Sequence, residues 1–118
     1  MRDKLTLTVS AKPDYIGALR VLIAAVAARM NYTIAAVEDI RTAVSEGLTM
    51  LLRGNPSTLT LEALVEEELS VSISAANAGV CSDCGANEFS VMLISAMAEA
   101  EITEEGGVIS KIEMRFVR

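Results

Sequence analysis

The sequence predicts an α+β fold, a two-layer sandwich in which helices cover one face of a mixed, mostly antiparallel sheet. Two observations carry this. Runs of strict apolar/polar alternation come in pairs split by turn residues, and two helical stripes follow the first strand before any second strand appears. Strands that do not alternate regularly with helices argue against a doubly wound parallel sheet. The expected order is β-α-α-β-β-α-β-β, and a chain of 118 residues fits one domain over its whole length.

Leu5, Leu7 and Val9 alternate with Thr6, Thr8 and Ser10, the period of a strand with one buried face. Pro13 and Asp14 then start a helix whose apolar residues, Ile16, Leu19, Leu22, Ile23 and Val26, recur at helical spacing up to the region of Asn31. Thr33 caps a second helix with the stripe Val37, Ile40, Val44, Leu48 and Leu51, and Gly54, Asn55 and Pro56 end it. Leu59, Leu61 and Ala63, then Leu69, Val71, Ile73 and Ala75, alternate with polar residues on either side of Glu66, Glu67 and Glu68, which gives a hairpin around an acidic turn. Ala76 to Asn87 has a loop composition, and Phe89, Met92, Leu93 and Ala96 restore helical spacing in a short third helix beginning at Asn87. Glu105, Gly106 and Gly107 split Ala100–Thr103 from Val108–Val117 in a closing hairpin.

Composition narrows the function. Apolar residues make up 52% of the chain, but with two Phe, two Tyr and no Trp the core is aliphatic and offers few platforms for stacking bases. The formal charge of −6, with Arg20, Arg29, Arg41, Arg53, Lys111 and Arg115 scattered, argues against nucleic acid and anionic membrane surfaces as partners. The longest apolar run, Val21 to Ala28, is too short to span a bilayer, and the amino terminus does not read as a signal segment, so a cytoplasmic protein is expected. Cys81 and Cys84 stand in a chain without His, so sulfur and imidazole cannot complete a four-ligand zinc site within one copy. Three readings of Cys81-Ser82-Asp83-Cys84 stay open: ordinary loop thiols, a metal site shared across a dimer, and a redox pair.

The segment from Glu38 to Gly54, EDIRTAVSEGLTMLLRG, resembles the second helix of the GHKL ATPase superfamily, and more closely that of the anti-sigma-factor serine kinases. That family carries Ser-Glu-Ala, then Asn three residues later, then a basic or His-Gly ending; here Ser45, Glu46, Gly47, Met50, Arg53 and Gly54 stand at those places. The resemblance extends along the chain in element order and implies a Bergerat-type fold, the ATPase domain of histidine-kinase-like proteins. It also implies roles. Glu46 would activate the attacking hydroxyl, the residue at Met50 would hold Mg²⁺ between nucleotide phosphates, and Asn77 and Gly79 would stand in the adenine-binding Asp-x-Gly-x-Gly loop.

Against that pattern the sequence departs at four places. Positions 46 and 50 are four apart, so a helix sets both side chains on one face, away from the apolar stripe, but a thioether at Met50 is a poor donor for Mg²⁺, which takes hard oxygen ligands. Asn77 replaces the charged Asp, and Cys81 replaces a glycine where the backbone should approach the nucleotide. Only the segment from Val80 to Phe89 separates this loop from the third helix, so the lid reads as deleted, and Glu88 stands where phosphate-cradling glycines belong. The expectation is therefore a degenerate member: an anti-sigma-factor-like regulator of transcription that works by protein binding and partner switching, with no cofactor, or ATP and Mg²⁺ if the site survives. Its expected partner is a sigma factor or an anti-anti-sigma protein docked around Arg20 on the first helix, with a homodimer by analogy. The alternative is an active ATP-dependent serine kinase that phosphorylates an anti-anti-sigma partner, with Glu46 as its catalytic residue.

Overall fold

The computed structural model describes residues 3–118. Strand β1 (Asp3–Ser10) is followed by helices α1 (Pro13–Arg29) and α2 (Ile34–Leu52) and by the hairpin β2 (Thr58–Val65) and β3 (Leu69–Ala76). Helix α3 (Cys84–Met97) and the hairpin β4 (Glu99–Glu105) and β5 (Val108–Phe116) complete the chain. The strands form one five-stranded sheet in the order β1-β2-β3-β5-β4. Every neighbouring pair is antiparallel, so the parallel pairing that a mixed sheet would contain is absent among the described residues. No helix among them is long and apolar enough to cross a membrane.

Alternation sets the two faces of the sheet. Leu59 and Leu61 of β2, Val71 and Ile73 of β3, and Ile112 and Met114 of β5 are buried under the helices. Their neighbours in sequence, such as Thr60, Glu62, Ser72 and Glu113, point to the opposite face, where charges pair in solvent: Lys4 with Glu62 at 3.1 Å and Lys111 with Glu113 at 3.8 Å. Exposed pairs of this kind add little to stability. Glu99 hydrogen-bonds Arg115 across β4 and β5 and holds its guanidinium above the ordinary value, so Arg115 stays charged. Gly106 and Gly107, with φ of 60° and 80°, make the left-handed turn that the last hairpin needs.

Helix starts follow the expected chemistry, with one exception. Pro13 opens α1, and the Thr33 hydroxyl caps α2 by accepting from the Ala36 N–H at 3.1 Å. Helix α3, expected from Asn87, instead begins at Cys84, because the Asp83 carboxylate accepts from the Ala86 N–H at 3.0 Å. A cap of this type contributes about 1 kcal/mol, enough to offset what Gly85 costs within the first turn.

The buried face of α2 is also wider than its stripe. Besides Ile40, Val44, Leu48 and Leu51 it includes Ala43, Gly47 and Met50. Gly47 is where the helix comes closest to the sheet: a methyl group there would stand 2.6 Å from Ile73 Cδ1. Met50, one turn later and 1% exposed, is core and does not lie on a polar flank as its spacing from Glu46 implied.

At the far end from the α3 loop, Tyr32 locks the link between α1 and α2 onto the sheet. Its hydroxyl donates to the Phe116 carbonyl at 2.7 Å and accepts from the Leu69 N–H at 2.8 Å, bridging two residues that are direct partners in the β3–β5 register. The Arg118 guanidinium covers the ring 4.4 Å from its centroid. Tyr32→Phe keeps the ring but strips both backbone groups of their partner, and we expect a loss of about 1–3 kcal/mol. Urea unfolding measures it; an unchanged midpoint would show that water replaces the hydroxyl without cost.

Candidate functional site

Side chains of α2 and α3 meet in a groove between the two helices. Because Gly47, Leu48 and Leu51 fix one side of α2 against the core, Glu46 and Arg53 are carried onto the flank that meets α3. The facing side of α3 is unusually polar, with Asn87 7% and Ser90 1% exposed.

These groups make one continuous chain of hydrogen bonds. The Ser90 hydroxyl donates to Glu46 Oε2 at 2.9 Å and accepts from an Arg53 guanidinium nitrogen at 3.3 Å. The same nitrogen donates to Asn87 Oδ1 at 2.8 Å, and the Asn87 amide nitrogen donates to the Cys81 sulfur at 2.8 Å. Ser90 thus relays between a carboxylate and a guanidinium that form no direct ion pair. No buried side-chain nitrogen or oxygen of Glu46, Arg53, Asn87 or Ser90 is left without a partner, as burial requires. Arg53 also occupies the C-cap of α2, where a cation complements the helix dipole.

Backbone contacts pin the loop between β3 and α3 to the same helix end. Gly79 N–H donates to the Gly54 carbonyl at 2.7 Å, Ser82 N–H to the Arg53 carbonyl at 3.1 Å, and Cys81 N–H to the Gly107 carbonyl at 3.3 Å. The two glycines face each other so closely that a methyl group on Gly54 would stand 2.9 Å from the Gly79 carbonyl oxygen. Asn77, at φ 59°, donates its amide to the Ser57 hydroxyl at 2.8 Å.

Beneath α3 lies a cavity of about 490 Å³ with an apolar floor of Met50, Val91, Ile102 and Ile109. Cys81, Asn87, Glu88 and Glu104 also line it, and among the described residues none of the lining is basic. The five expected site residues therefore scatter. Met50 lines the cavity; Glu46 stands in the polar chain; Asn77 and Gly79 are committed to Ser57 and Gly54 and line no part of it. Arg20 sits apart on α1, half-buried, with its Nε enclosed and without a hydrogen-bond partner.

Ser90, and the way in which Arg53 and Asn87 meet, were not legible from the sequence. Both contacts join residues more than thirty positions apart, and the one local clue was a Ser and an Asn on the side of α3 that carries Ile94. The thiol of Cys81 is free and half-buried, and it also accepts from the Asp83 N–H at 3.3 Å. Cys84 opens α3, but its side chain lies outside the described residues, so the paired-thiol readings are not addressed. Among the described residues no group of three or more acidic or cysteine side chains is placed to hold a metal ion.

With this geometry in hand, sequence comparison gives a consistent set of relatives. Over 80 residues the chain is 34% identical to the serine-protein kinase RsbW of Listeria monocytogenes, covering 63% of this chain and 51% of the relative. The serine-protein kinases RsbW of Listeria innocua and Bacillus subtilis are 41% and 43% identical over 49 and 47 residues, covering 42% and 40% of this chain and 31% and 29% of the relatives. The chain spans about half the length of the curated relatives it matches most extensively. No family model matches it. The resemblance drawn from Glu38–Gly54 is borne out: the chain is similar in sequence to the RsbW kinases.

The polar chain should behave as a unit. Arg53→Met leaves Asn87 Oδ1 without its donor, and Ser90→Ala leaves Glu46 without its own; each should lower stability by about 1–3 kcal/mol. The double variant should lose less than the sum of the two, because the residues share partners. Strict additivity in urea unfolding would mean that the contacts are independent.

Proposed function

We propose that this chain is an anti-sigma-factor-like regulator that acts by binding a protein partner, with nucleotide binding and serine kinase activity weak or lost. The observation that carries the reading is the hydrogen-bonded chain from Glu46 through Ser90 and Arg53 to Asn87. The Glu46 carboxylate, the group that the kinase relatives' pattern assigns to activating a hydroxyl, already accepts a proton donor from α3.

The donor set around the cavity does not fit a magnesium nucleotide. A buried thioether, Met50, stands where the family pattern places an oxygen ligand, and Mg²⁺ binds hard oxygen donors in octahedral geometry. Among the described residues no lysine or arginine lines the cavity, while Glu88 and Glu104 set carboxylates where phosphate charge would have to sit. Asn77 donates its amide N–H to the Ser57 hydroxyl, and its neutral amide oxygen would be a weaker acceptor for an adenine amino group than the carboxylate of the family pattern.

A binding role needs a surface, and α1 supplies one. Arg20 holds an enclosed and unpartnered Nε, and Val21 beside it is 70% exposed on a helix with few charges. The partner proposed for this surface is a sigma factor or an anti-anti-sigma protein, and the protein is proposed to work in the cytoplasm.

Mg-ATP and Mg-ADP titrated into the protein should give no saturable heat and no rise in melting temperature. A ligand bound from 100 times its Kd would contribute about 2.7 kcal/mol, which a thermal melt resolves. Micromolar binding, together with phosphorylation of an anti-anti-sigma protein that Glu46→Gln abolishes, would establish the active kinase instead.

A further inference from the structure

Helix α3 is amphipathic in the wrong sense. Its inward side presents Asn87 and Ser90 beside Ile94, while Phe89 and Met92, two residues after each of them and so turned about 200° away, are 62% and 69% exposed at a spacing that stacks them on one face. Turning the helix to bury Phe89 and Met92 would take Asn87 and Ser90 away from Arg53 and Glu46 and leave two charged groups half-buried without partners. The hydrogen-bonded chain therefore holds the apolar pair in solvent.

This face adjoins the cavity. Glu88 and Val91, which line it, sit one residue before Phe89 and Met92, about 100° away around the helix. Val80, 66% exposed, lies against Gly107 at the opposite lip. An apolar floor, three large exposed apolar side chains and two carboxylates at the rim make one surface, with no basic lining among the described residues. Apolar patches of this kind mark interaction sites.

We propose that the outer face of α3 and the adjoining cavity are a docking site for an amphipathic helix with a basic flank, carried by a partner protein. Its apolar face would cover Phe89 and Met92 and send a long side chain into the cavity, and its lysines or arginines would meet Glu88 and Glu104. Charge selects this occupant: a second copy of a chain with formal charge −6 would bring the same carboxylates to the same rim. The site is separate from Arg20, since α1 and α3 each pack on α2. The proposal rests on the reading that the chain acts by binding protein, but not on which partner α1 takes.

The test uses a fluorescent peptide of leucine and lysine, patterned as an amphipathic helix about five turns long, and its leucine–glutamate counterpart. In anisotropy titrations the lysine peptide should bind, more weakly as salt rises, and the glutamate peptide should not. Phe89→Ser with Met92→Ser, and separately Glu88→Lys with Glu104→Lys, should each weaken binding about tenfold or more. Glu66→Lys with Glu67→Lys, on the hairpin turn between β2 and β3, and Arg20→Ala should leave it unchanged. A photo-crosslinking lysine peptide should label α3 in the unsubstituted protein, which keeps the test informative if a variant folds poorly.

Equal binding of both peptides, crosslinks elsewhere, or full binding by the Phe89 and Met92 variant would overturn the proposal. So would a dimer in sedimentation that this variant turns to monomer, because the face would then belong to a second copy. Loss of binding by Arg20→Ala with α3 variants unaffected would instead place peptide recognition on α1, sinking this inference while leaving the proposed function in place.

Discussion

Helix α2 comes closest to the sheet at Gly47, where a methyl group would stand 2.6 Å from Ile73 Cδ1 and would force that side chain to move. That distance fixes the rotation of the helix, because Leu48 and Leu51 are seated at the same time. Once the rotation is fixed, residues at 46 and 53 fall on the α3 flank and residue 50 falls into the core. The candidate site is thus a by-product of how one helix beds on a sheet: Met50 is apolar because its place is dry, and Glu46 and Arg53 tolerate partial burial because α3 supplies Ser90 and Asn87.

Much of this architecture was readable from the chain. Period-two runs at Leu59–Ala63 and Leu69–Ala75 gave the central hairpin with its acidic turn, and Thr33 and Gly106-Gly107 marked a cap and a turn through chemistry that acts over a few residues. What local chemistry did not carry was lost. The start of α3 hid behind Gly85 and two cysteines, although Asp83, an N-cap residue three before Ala86, was the available signal. Met50 looked polar-facing because a four-residue spacing from Glu46 was taken to mean the same environment. On a helix packed on two sides, two residues of one flank can differ wholly in burial, and Glu46 lies half-open while Met50 is dry. The Arg53–Asn87–Ser90 meeting depends on tertiary packing alone, and no periodicity in one sequence encodes it.

The departures from the kinase pattern support one another physically. With an asparagine at 50 an amide would have to be buried among Val91, Ile102 and Ile109 without a partner, a cost of about 1–3 kcal/mol, unless a bound ion or water answered it. Methionine removes that cost and the metal ligand together. A guanidinium at 53 free to reach phosphate would favour nucleotide, but here it donates to Asn87 and Ser90 and does not line the cavity, whose charged lining residues are Glu88 and Glu104.

The same coupling explains why α3 shows Phe89 and Met92 to solvent. An ordinary surface helix turns its apolar side inward, and burying two such side chains would be worth several kcal/mol at about 25 cal/mol per Å². The alternative rotation fails because Arg53 and Glu46 would then face a greasy surface from partly buried positions, and unpaired charge there costs at least as much. The polar clamp and the exposed apolar face are two readings of one helix orientation. On the proposed reading, the helix orientation that ties Arg53 to α3 also presents Phe89 and Met92 to a partner, so the two features need no separate causes.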